Sequence, residues 1–237
     1  MNEPQSAPRE TVTVVPGTIA VFSDLTCPFA HVAIHRLFET RTRLGLDDNR
    51  PARPSRLPDR TPERRSRHPA RLGLRDPGSG RPRAGRRLAN LARPRLPHPS
   101  TVLPAFEAVQ AAKAQSLAIS ERLDRALRCA FWAQSRPIHL HNELITVAST
   151  VDGIDVDDLD RALRRGTYRH RIFDDLDVVR SGAVSMSPHL FLPNGTDIAN
   201  PGIQLHWQGP WAAGFPVIDS DDPGIYEALL RTALPID

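Results

Sequence analysis

The chain is poor in the residues that most often announce a function. It has two cysteines, Cys27 and Cys129, a single lysine, Lys113, and aromatic residues make up only 5%. No apolar stretch approaches bilayer-spanning length, which excludes a run of transmembrane helices and leaves no expected membrane partner. The first ten residues are polar and lack the apolar core of a secretory signal, so a cytoplasmic setting with reduced thiols is expected. No internal repeat is present. At 237 residues the chain suits one domain carrying an insertion, with length enough to bury a large core.

The net charge of +4 conceals a strong asymmetry. Residues 51–100 hold fourteen arginines against Asp59, Glu63 and Asp76, so the remainder of the chain is acidic. A basic block on an acidic body suggests a nucleic-acid arm. Yet the block has no lysine and no Phe, Trp, Tyr, Ile, Val, Met or Cys, so it can neither stack bases nor build a core. No nucleic-acid partner is expected. As written, residues 49–100 read as disordered or poorly packed.

What is present centres on Cys27. It follows an apolar run, residues 18–22, that reads as a buried strand. Pro28 comes next, and Val32, Ala33, Ile34, Leu37 and Phe38 then recur at helical spacing to about Leu44. Proline is tolerated in the first turn of a helix, where its missing N–H would have no partner anyway. A cysteine just before it sits among free backbone N–H groups at the positive end of the helix, a setting that favours the thiolate. His31, one turn on, would add to that effect as an imidazolium. The competing readings are a small buried hydrophobe for Cys27 and a half-buried polar residue for His31.

Far along the chain, Ser187-Pro188-His189-Leu190-Phe191-Leu192-Pro193-Asn194-Gly195 reads as a proline loop, a short apolar strand and a hairpin turn. With the Cys27-Pro28 helix start, this order resembles the DsbA-like branch of the thioredoxin superfamily. The resemblance implies an α/β, thioredoxin-like fold interrupted by an α-helical insertion. Its first part would be 11–48, the insertion 101–180 and its second part 181–237. It implies Cys27 as the catalytic residue, with Pro28, Phe29, His31, Ser187 and Pro188 contacting substrate and Ser187-Pro188 forming a cis-proline loop. Dithiol members of the family carry a second cysteine three residues after the first, and here that position is Ala30. The implied activity is therefore a single-thiol disulfide oxidoreductase with a disulfide or thiol substrate. No cofactor is expected to be bound, and glutathione is a candidate co-substrate. The absent signal counts against a periplasmic disulfide donor. Two alternatives stay open: a glutathione-dependent isomerase or transferase, resembling 2-hydroxychromene-2-carboxylate isomerases and kappa-class glutathione transferases, and a redox-inactive thioredoxin-like module.

The basic block stands where a DsbA-like chain places its second core strand. Its arginine, proline, alanine and glycine are what GC-rich DNA gives when read out of frame. Moved forward one base, codons allowed for residues 53–58 spell Ala-His-Arg-Ala-Phe-Pro. The same shift over residues 76–99 restores tryptophan and tyrosine. A compensating pair of indels, near Asn49 and near Ser100, is the expected origin.

Elsewhere, apolar spacing over 104–151 predicts two or three helices, with Pro137 breaking one. Asp155 reads as the N-cap of a helix running to about Arg165, and another helix is expected over 168–180. Residues 201–220 read as a loop rich in Gly, Pro and Trp, and Pro223 as the opening of a last helix. Metal-like groupings have plainer readings, and no metal is expected. Cys27, His31 and His35 share a helix face by spacing alone, and His139, His141 and Glu143 alternate by coincidence. Asp152, Asp155, Asp157, Asp158 and Asp160 lack the glycine and final acid of a calcium loop. Cys129 reads as a buried hydrophobe.

Overall fold

The computed structural model describes residues 11–46, 53–54, 99, 101–210 and 214–235. The chain is a mixed helix-and-sheet protein, and among these residues it forms seven helices and six strands. Strand β1 (Ala20–Phe22) leads through a turn into α1 (Pro28–Arg43). Strand β2 (Arg53–Pro54) pairs parallel with β1, while β3 (His189–Phe191) pairs antiparallel on its other side and β4 (Asp197–Ala199) continues beyond β3. The sheet order is β2-β1-β3-β4. Pro54 cannot donate a ladder bond, and β2 occupies an edge, where proline is tolerated. Apart from the backbone at 53–54 and Pro99, the expectation for residues 49–100 lies outside the described residues.

Strand alternation sorts the core. Ile19, Val21, Leu190 and Leu192 face one way and pack with Ala33, Ile34, Leu37 and Phe38 of α1. The last helix, α7 (Ile225–Ala233), adds Tyr226, Leu229 and Leu230 to that layer. Ala20, Phe22 and Phe191 face the other way, against Val14 and Val184. The rings of Phe22 and Phe191 meet edge to face at 5.6 Å.

Between the two halves of this sheet come five helices: α2 (Leu103–Gln115), α3 (Leu117–Trp132), α4 (His141–Ala148), α5 (Val156–Arg165) and α6 (Arg169–Arg180). Ser116 ends α2 in an extended conformation and caps α3, its Oγ accepting from Ile119 N–H at 3.1 Å. Asp155 caps α5 by accepting from Asp158 N–H at 2.8 Å, and Gly166 closes that helix at φ 64°. Pro137 lies between α3 and α4. Phe106, Val109, Leu123, Leu127 and Phe131 form the helical core, and Leu25 from the turn after β1 is buried within it. The turn before Cys27 is thus packed into the helical layer as well as attached to the sheet.

One expectation is corrected. Residues 201–220 are not a loop: β5 (Ile203–Gln208) and β6 (Phe215–Asp221) form a two-stranded antiparallel ladder with a register shift at Gln204/Leu205. Arg36 of α1 ties this ladder down through a two-point bond to Asp221 at 2.6 and 2.7 Å. The last helix starts at Ile225, two residues after Pro223.

Candidate active site

The turn from β1 into α1 is built by Asp24. Its Oδ1 accepts from the backbone N–H of Thr26 at 2.7 Å and from the Thr26 hydroxyl at 2.8 Å, while its carbonyl accepts from Cys27 N–H at 3.3 Å. Cys27 is the N-cap of α1, with extended φ −84° and ψ 121°, and Pro28 holds the first helical position. The first helical bond runs from His31 N–H to Cys27 O at 3.0 Å, so the N–H groups of Phe29 and Ala30 have no acceptor within the helix.

Sequence reasoning places the Cys27 sulfur among those N–H groups. It stands at that end of the helix, but no side-chain bond caps α1. The thiol instead donates across the turn to the carbonyl of Ser187, with Sγ 3.2 Å from the oxygen. Ser187 precedes a cis peptide bond to Pro188. Its hydroxyl accepts from Asp24 N–H at 2.8 Å, so two bonds join segments more than a hundred and fifty residues apart in sequence. Pro188 is buried and its carbonyl accepts from Asn200 N–H at 2.8 Å, which locks the loop to the end of β4.

Pro28, Phe29 and His31 are half-buried along the first turn of α1. The His31 ring lies 6.0 Å from that of Trp132 on α3, tilted by 33°. Cys129, also half-buried, sits on α3, and both cysteines are free thiols.

Four residues with a clear part in this site escaped sequence reasoning. Arg128, almost wholly buried, donates to the Asp124 carboxylate at 3.0 Å, the Asp24 carbonyl at 2.9 Å and the Ser23 hydroxyl at 2.7 Å. Trp132 donates from its indole to the Leu25 carbonyl at 3.1 Å. His189, buried beside Pro188, accepts from Ser185 N–H at Nδ1 (3.2 Å), which leaves Nε2 as the protonated nitrogen facing Asp197 at 2.7 Å. Asp24 completes the group. The first two fix the turn before Cys27 and the third fixes the loop before Pro188.

The remaining sequence candidates go to separate partners. His35 pairs with Glu39, His141 with Asp160, and Glu143 with Arg136. Asp160 also takes Arg164, and the two partners hold its carboxyl below the usual range. Among the described residues no group of three or more His, Cys, Asp or Glu is placed to hold a metal ion, and no helix is long and apolar enough to cross a membrane. At the far end of α1 from Cys27, burial raises the Glu121 carboxyl to about 7, against the opposing pull of Arg41 at 3.1 Å. In comparisons with known proteins, no family model and no curated protein matches the chain.

Proposed function

We propose that the chain is a thiol–disulfide oxidoreductase of the DsbA-like, thioredoxin-fold kind that works through one cysteine, Cys27. The contact between its sulfur and the Ser187 carbonyl is the observation that carries this reading. It puts a half-buried thiol at a helix start against a cis-proline loop whose backbone can pair with a substrate strand. The sheet order, with a parallel β1–β2 pair and antiparallel β3 and β4, supports a thioredoxin-like domain made from 11–48 and 181–237 around a helical insertion.

The reaction balances without a bound cofactor. The Cys27 thiolate attacks one sulfur of a substrate disulfide, forming a mixed disulfide and releasing the other sulfur as a thiolate. An outside thiol such as glutathione then attacks the substrate sulfur of that mixed disulfide and frees the Cys27 thiolate. Ala30 is fully buried where a resolving cysteine would stand, so resolution falls to the outside thiol. Two free thiols suit a reducing, cytoplasmic setting. Glutathione-dependent reduction of hydroxyethyl disulfide tests the reading: turnover is expected from the native chain and none from Cys27→Ser.

The same buried Ala30 favours a second reading, a glutathione-dependent isomerase or transferase in which the group at the start of α1 handles the glutathione sulfur. Tight glutathione binding without disulfide reduction would select it.

A further inference from the structure

The β5–β6 ladder is a two-stranded sheet standing by itself. Among the described elements its strands approach only each other, and no third strand lies on either edge. Solvent reaches both faces: Ile218 on one is 55% exposed and Phe215 on the other 56%. An isolated ladder of two strands is marginal in water, and a third strand or a covering layer is what stabilises one. The bond from Arg36 to Asp221 and that from Asp222 N–H to the Gly202 carbonyl, at 2.7 Å, hold only the end where β5 begins.

The two edges differ in chemistry. β6 carries Pro216, which has no N–H to offer, and Asp219 and Asp221, charges of the kind that keep an edge single. β5 reads Ile-Gln-Leu-His-Trp-Gln, with no proline, no acid and no lysine or arginine. A strand edge without such protection is a template for another strand.

We infer that β5 pairs antiparallel with β5 of a second copy of the chain, giving a four-stranded sheet across a two-fold axis. Residues opposite one another in an antiparallel pair lie on the same face, so odd positions meet odd and even meet even. Centred on His206, the pairing sets Leu205 against the partner's Trp207 and Gln204 against the partner's Gln208, each twice. The first is an apolar pair of the kind that stabilises sheets, and the second matches amides that can bond each other. His206 meets the partner's His206, and each ring holds its own Asp219 at 2.7 Å, so a charge on either is offset. Leu205, Trp207, Pro216 and Ile218 share one face of the ladder, which becomes continuous across both copies. The strand is thus complementary to itself in one register. The pairing makes no use of Cys27, so it stands or falls separately from the oxidoreductase reading.

Sedimentation equilibrium of the full-length chain over a dilution series tests this pairing. A six-residue edge buries less than a standard interface, so the expected dimer is weak and dissociates on dilution. Gln204→Lys with Gln208→Lys sets like charges opposite each other at both sites and should weaken the dimer about tenfold. Gln204→Lys with Gln208→Glu sets opposite charges there and should restore at least the native affinity. Both positions are exposed, so circular dichroism should show the native fold in each variant. A monomer at every concentration up to about 1 mM overturns the inference, since even a weak contact shows there. So does a dimer that the two variants leave equally strong, or protection of the β5 amides from hydrogen exchange in a chain that stays monomeric.

Discussion

Arg128 on α3 reaches the carbonyl of Asp24, 2.9 Å away and 104 residues earlier in sequence. The helical layer is thereby bonded to the turn that carries Cys27, and Trp132 adds a second bond, to the carbonyl of the next residue, Leu25. A thiol at a helix start needs its turn held still if the sulfur is to meet the same loop each time. Here the sheet sets where the turn begins and α3 sets where it stays.

Arg128→Met should therefore cost stability and also alter the thiol. Both partners of the Arg128–Asp124 pair are almost wholly buried, and removing one side of a buried ion pair typically costs about 3–5 kcal/mol. Urea unfolding measures that loss. The Cys27 alkylation rate in the folded chain separates a positioning role from a purely structural one, because only the former changes it. Removing Asp124 as well should recover part of the stability but not the native thiol reactivity, since the bonds to Ser23 and Asp24 stay lost.

His189→Phe should loosen the opposite wall. The ring stacks near Phe191, with centroids 4.4 Å apart, and phenylalanine keeps that packing while losing the bonds to Ser185 and Asp197. A loss of about 1–3 kcal/mol is expected from these two bonds. Disulfide exchange by Cys27 should slow, with the folded chain retained by circular dichroism.

Glu121 gives the stability a pH slope. Its carboxyl titrates near about 7 in the folded chain, against 4.5 ordinarily, because burial disfavours its charge. The folded form thus binds the proton more tightly. Its contribution is fully present below about pH 4.5 and is lost as pH rises through 7, an effect of about 3 kcal/mol at most. Glu121→Gln should flatten this part of the stability curve, measured by urea unfolding from pH 4.5 to 8.

Sequencing the coding DNA checks the origin of residues 49–100. Two compensating indels, near Asn49 and Ser100, are expected, with the frame between them giving an apolar, aromatic-bearing segment. No alternative frame of that kind would end the idea.

Much of the fold was legible because local chemistry agreed with the final structure. Pro28 after an apolar run marked the start of α1, Asp155 marked α5, and Asn194-Gly195 marked the turn between β3 and β4. The β5–β6 ladder was missed because glycine, proline and tryptophan drew attention from a period-two pattern that is plainly there. Ile203, Leu205 and Trp207 alternate with Gln204, His206 and Gln208, and the outward set is exposed. Cys27, Ser187 and Pro188 were singled out together from the sequence, and the structure brings the cysteine and serine into contact. Arg128 and His189 were not, since what they do depends on partners remote in sequence or on the fold of a loop. One signal existed: Asp124 and Arg128 interrupt an apolar stripe of Leu123, Leu127 and Phe131 with a charged pair four residues apart.

The decisive measurement is where glutathione attaches. The full-length chain is incubated with glutathione disulfide, and the adduct is mapped by mass spectrometry before and after addition of free glutathione. One glutathionyl group on Cys27, removed by free glutathione and absent from Cys27→Ser, is the expected result. Modification confined to Cys129, or no adduct at all, would contradict a reactive thiol at the start of α1.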